Sequence, residues 1–140
     1  MQIPLYGLFE VQLENAKQYS NPFAEVGLGA VFTSPNGRQV NFIGFFDGDG
    51  KGGQDGNVWK QRFMPDETGT WSYAITFSDG SPGRSGQFEC VEQGSKPGFW
   101  ALDPENSHWF KTIRGQRFMP VTMHASCAVT PIDWQDAIEW

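Results

Sequence analysis

Asp47-Gly48-Asp49-Gly50-Lys51-Gly52-Gly53-Gln54-Asp55-Gly56-Asn57 places three carboxylates in one glycine-rich run. Calcium is held by about six or more converging oxygens, and an EF-hand loop delivers them with a glycine at its sixth position and a bidentate glutamate at its twelfth. Counted from Asp47, carboxylates stand first and third and Gly52 stands sixth, but Lys51 is fifth and Val58 twelfth. The spacing therefore does not build that loop. Weak Ca²⁺ binding by Asp47, Asp49 and Asp55 stays open beside the plainer expectation, a solvated loop with no cofactor or metal. A long loop on a rigid scaffold is also a natural contact element, which makes Asp47 and Asp49 candidates for touching a substrate or a neighbouring domain.

Nucleophilic chemistry finds no partner set. His108 and His124 are the histidines of the chain, and neither a Gly-x-Ser-x-Gly nor a His-Glu-x-x-His pattern occurs. His124 and Cys127 stand three apart, a spacing that does not by itself orient a thiol and a base. Cys90 and Cys127 form neither a disulfide framework nor a metal pattern and read as buried thiols. No catalytic residue is assigned.

The elements that must position these groups show strand periodicity. Trp71, Tyr73, Ile75 and Phe77 alternate with small polar residues, as a half-buried strand requires. Val26, Leu28, Ala30 and Phe32 do the same, followed by a Ser34-Pro35-Asn36-Gly37 turn. A strand over 39–46 is apolar on both faces near its end. Further strands are expected around Phe9–Leu13, Val58–Met64 and Gln87–Val91. About six to seven short strands in the first ~95 residues predict an all-β, immunoglobulin- or fibronectin-III-like sandwich over 1–92. Aromatic content of 15% with 17 glycines and 9 prolines agrees.

Composition shifts after Val91. A linker is expected over 93–106, then a hairpin through His108–Met123. Thr130, Pro131 and Asp133 have the spacing of a helix start. A strand leading into a capped helix is how a βα unit begins, so 107–140 is expected to be the truncated start of a (β/α)8 barrel, with His124 near a strand end that would face a substrate pocket. The net charge of −6 and the absence of any Lys/Arg run exclude a nucleic-acid partner. No apolar run suits a membrane.

Asn21-Pro22-Phe23, Ala30–Gly37, Gly44–Gly50, Arg62–Tyr73 and Gly86-Gln87-Phe88 together resemble a bacterial domain of unassigned function found ahead of apiosidase-like and related TIM-barrel glycoside hydrolases. The resemblance covers about residues 5–92. Phe110–Thr112 and Gly115–Val121 are similar to the hairpin that leads into the barrel in those enzymes; beyond Val121 the match weakens, and no strand-end role is carried over. The resemblance implies a secreted or periplasmic polysaccharide-degrading parent enzyme, in which this chain is a non-catalytic accessory domain packed against its own barrel and edging the cleft. A carbohydrate-binding module is the alternative, with Trp59, Trp100 and Trp109 as candidate platforms for stacking on sugar rings. Large aromatics also fill cores and interfaces. An adhesive or collagen-binding surface domain is a third reading, since fold alone does not assign function. Asp47, Asp49, Trp59 and His124 are thus the candidate substrate or interdomain contacts.

Overall fold

The computed structural model describes residues 1–92 and 97–119. The chain divides into two compact units, Met1–Phe99 and Trp100–Trp140. The first contains β1 (Gln2–Pro4), β2 (Phe9–Glu14), α1 (Pro22–Glu25), β3 (Leu28–Thr33), β4 (Gln39–Ile43), β5 (Phe45–Phe46), β6 (Val58–Phe63), β7 (Gly69–Phe77) and β8 (Arg84–Val91). A five-stranded sheet runs β1-β8-β7-β3-β4, with β1 parallel to β8 and its other pairs antiparallel; a three-stranded antiparallel sheet runs β2-β6-β5. The all-β sandwich expected from the periodicity is what forms.

Alternation explains which faces meet. Trp71, Tyr73, Ile75 and Phe77 of β7 are buried, as are Phe9, Val11 and Leu13 of β2. Aromatic rungs bridge the sheets: Phe32 stacks on Phe63 with centroids 4.0 Å apart, and Phe9 on Phe88 at 4.4 Å. Such pairs add about 0.5–1.5 kcal/mol each beyond their area. The buried Trp71 indole donates to the Glu67 carbonyl at 2.8 Å, so its polar end is satisfied. Cys90 is buried beside this core, and burial pushes its thiol up to about 11.

Three local expectations change. The strand expected over 39–46 is two strands in two sheets, broken at Gly44. A Cβ on Gly44 would lie 2.6 Å from Leu28 Cδ2 and 2.8 Å from the Lys60 carbonyl oxygen, so the crossing needs glycine. Its two-faced apolar character follows from the switch, because the residues on either side of Gly44 serve different sheets. Val26 is not in β3 but follows α1, where the Asn21 side chain accepts from Phe23 N at 3.2 Å and Glu25 accepts from Asn21 N at 2.7 Å. Third, part of the expected linker is ordered strand: the second unit has β9 (Trp100–Asp103), β10 (Asn106–Thr112) and β11 (Arg117–Phe118) in the order β11-β10-β9.

The corner between β9 and β10 looks like linker by composition. It is held by Asp103, whose buried carboxylate accepts from Glu105 N at 3.0 Å and pairs with Arg117. Trp100 meets Phe110 edge-on at 4.7 Å. The hairpin expected from His108 onward forms through β10 and β11. His124, Cys127 and the helix expected from Pro131 lie outside the described residues, as do residues 120–140 of the barrel start expected over 107–140.

Candidate functional site

The acidic loop leaves β5 and returns to β6 through paired backbone bonds, Asp47 N to Val58 O and Val58 N to Gly48 O, each 2.9 Å. Asp49 accepts from Lys51 N at 2.7 Å and Gly53 N at 2.9 Å, and these amides hold its carboxyl below the usual 3.8. Asp47 pairs with Lys60, Oδ2 to Nζ 2.5 Å, and the same ammonium donates to the Gly50 carbonyl at 3.1 Å. Gly48 has φ 57°, and a Cβ there would sit 2.0 Å from the Gly53 carbonyl oxygen. Asp47 and Asp49 therefore brace their own loop, and Asp55 is exposed. Among the described residues no group of three or more His, Cys, Asp or Glu converges on a metal position.

Trp59 is corrected as a stacking platform. Strand alternation in β6 turns Trp59, Gln61 and Phe63 inward, and the indole is 3% exposed between Phe46 and Phe77. A buried indole has no free face for a sugar ring. Trp100 and Trp109 of the second unit are exposed.

What the first unit does present is apolar. Around the Gly44 crossing, Pro22, Phe23, Leu28, Ile43, Phe45 and Phe46 line a groove of about 260 Å³ that reaches Trp59. Ile43 is 85% and Phe23 65% exposed, and Phe45 is exposed too. Ile43 also borders a shallow hollow of about 450 Å³ on the outer face of the five-stranded sheet, where Gly29 leaves open space between Val31 and Thr76. Exposed apolar area of this kind, contiguous rather than scattered, is the kind from which interaction surfaces are built. The signal in the sequence was Phe42-Ile43-Gly44-Phe45-Phe46 itself, which five apolar-rich residues of one strand would otherwise bury.

A polar clamp escaped the sequence reading. Asp79 Oδ2 accepts from Lys17 Nζ at 2.9 Å, Tyr19 OH at 2.7 Å and Ser81 Oγ at 2.9 Å, while Oδ1 accepts from Ser81 N at 3.0 Å. The Lys17 bond foremost, then Tyr19, holds the Asp79 carboxyl well below its ordinary value. Asp79-Gly80 reads as a turn from sequence, but partners sixty or more residues away carry no local signature.

Two of the motif segments meet in space. Arg38 Nη2 reaches Asp66 Oδ1 at 2.5 Å and Asn36 Nδ2 donates to Glu67 at 2.8 Å, tying the 34–37 turn to the corner before β7. These acids are thus structural. No curated protein matches the chain. A solved structure described as a putative glycoside hydrolase from Bacteroides vulgatus ATCC 8482 is similar to it, with a TM-score of 0.69 and 30% identity over 85% of this chain and 21% of that one. The chain thus spans about a fifth of that protein's length. Residues 2–78 match the family described as Domain of unknown function (DUF5060), and the chain belongs to that family.

Proposed function

We propose that this chain is a non-catalytic accessory domain of a longer, secreted glycoside hydrolase, docking through its apolar groove onto the catalytic domain. The observation that carries this reading is the alignment of most of the chain with only a fifth of a protein described as a putative glycoside hydrolase. Glycoside hydrolysis uses two carboxyls about 5–9 Å apart across the scissile bond. The carboxylates characterised above, Asp47, Asp49, Asp66, Asp79 and Asp103, are engaged instead in loop bracing and ion pairs. The groove also favours a protein neighbour: sugars need convergent hydrogen-bonding groups, whereas Phe23, Ile43 and Phe45 offer apolar area.

The test compares the whole enzyme with one lacking residues 1–92 and one carrying Phe23→Asp. Both should lose thermal resistance of the catalytic activity, while Phe23→Asp, which removes one edge-on contact with Phe46, lowers the melting of the 140-residue chain only slightly. Unaltered stability and activity after deletion would rule the accessory role out. Polysaccharide binding by the chain, abolished by Trp100→Ala or Trp109→Ala, would instead support a carbohydrate-binding module, the reading favoured by those two exposed indoles.

A further inference from the structure

We propose that the free edge of β4 pairs with the same edge of a second copy of this chain, joining two five-stranded sheets across a two-fold axis. Among the described residues β4 ends its sheet, bonded to β3 on one side. The phase of that pairing is set by Ser34 N to Arg38 O at 2.9 Å and Gly44 N to Leu28 O at 2.7 Å. Antiparallel pairs alternate between bonded and non-bonded, so Val40 and Phe42 spend their backbone groups on Phe32 and Ala30. Gln39, Asn41 and Ile43 consequently aim their N–H and C=O groups outward.

Natural sheet edges are usually blunted by lysine, proline, a bulge or a covering element. Gln39-Val40-Asn41-Phe42-Ile43 contains no charge and no proline, and its pairing with β3 is continuous. The edge is also short of cover. Phe42 packs edge-on against Phe32 and Phe63, yet is 43% exposed because the sheet stops beside it.

The occupant follows from the register. Centred on Asn41, an antiparallel pair sets Asn41 against Asn41 of the second copy and Gln39 against its Ile43. All outward groups are then used in reciprocal bonded pairs. The same register sets Val40 against Phe42 of the second copy on the inner face, so each half-covered aromatic gains an apolar neighbour. Arg38 falls opposite Gly44, and no like charges face each other. The strand is complementary to itself. Pairing involves residues 39–43, of which Ile43 also lines the groove assigned to the catalytic domain; it is therefore tested on the 140-residue chain alone, whereas the test of the accessory role rests on Phe23, outside β4. The net charge of −6 on each copy opposes association, and added salt screens that repulsion.

Sedimentation of the 140-residue chain from about 10 µM to about 1 mM, a range suited to small interfaces, should show the mass rising from 15.7 kDa toward twice that value. The rise should strengthen with added NaCl. Amide exchange at Gln39, Asn41 and Ile43 should slow with concentration. Asn41→Pro removes an outward N–H that β3 does not use, and Ile43→Lys places a charge on the edge; both should sediment as monomers. A wild-type chain monomeric throughout the range overturns the proposal, as does a dimer with unchanged exchange at these amides. Should Asn41→Pro fail to fold, a dimer that survives Ile43→Lys is sufficient to overturn it.

Discussion

Gln61 is fully buried between Trp59 and Phe63 on the inner face of β6, and its Oε1 has no hydrogen-bond partner among the described residues. Its Nε2 donates to the Arg62 carbonyl at 3.1 Å. An unsatisfied buried acceptor costs more than one ordinary bond returns, so Gln61→Met should stabilise the chain by about 1 kcal/mol. A raised denaturation midpoint at unchanged slope is the expected readout; a lowered one would show that Oε1 is satisfied. Asp79 makes the pH prediction. Its folded carboxyl titrates below the unfolded value near 3.8, so its stabilisation is complete above that value and drains away as pH falls through it toward the folded one. Asp79→Asn should flatten the acid limb of the melting-temperature profile below about pH 4. Parallel acid limbs for the two proteins would refute it. The loop carboxylates predict the opposite of a metal site: millimolar Ca²⁺ should leave the melting temperature unchanged, since a ligand stabilises only by binding the native state.

At the scale of elements, the β4–β5 crossing is the decisive joint. One chain segment closes both sheets at the same side by changing partner at Gly44, and the approach of Leu28 and the Lys60 carbonyl leaves no room for a side chain. Gly44→Ala should cost about 1–3 kcal/mol through overpacking, because a backbone atom is among those displaced. Chemical denaturation measures it, and a loss below about 0.5 kcal/mol would mean that the crossing relaxes. By contrast Gly29→Ala, where a Cβ meets nothing within 4 Å, should be neutral to slightly favourable in β3. The contrast between two glycines one strand apart isolates crowding from conformational preference.

For the whole molecule, stability and interaction are carried by different residues. The core aromatics are enclosed, and Phe23, Ile43 and Phe45 are left outside it. Phe23 meets Phe46 edge-on at 5.1 Å, so Phe23→Asp is expected to cost the chain no more than about 1.5 kcal/mol, with its larger effect on the proposed docking. Calorimetry on the chain and heat-inactivation of the proposed longer enzyme separate the two. No helix among the described residues is long and apolar enough to cross a membrane.

Much of this was legible beforehand. Alternation in Trp71–Phe77 and in Phe9–Leu13 determined both the strands and their buried faces, because side chains two apart must share a face. Turn chemistry at Ser34–Gly37 placed a reversal, and the motif set pointed to the family. Tertiary structure decided the rest, for one physical reason: those outcomes depend on neighbours distant in sequence. Periodicity cannot tell that a strand changes sheets, so β4 and β5 read as one. It also cannot tell which tryptophan is enclosed, so Trp59 read as available until Phe46 and Phe77 were seen to flank it. Asp47 and Asp49 carried the chemistry that a metal or substrate contact would need; Lys60, Lys51 and Gly53, brought close only by the folded loop, show where those carboxylates are spent.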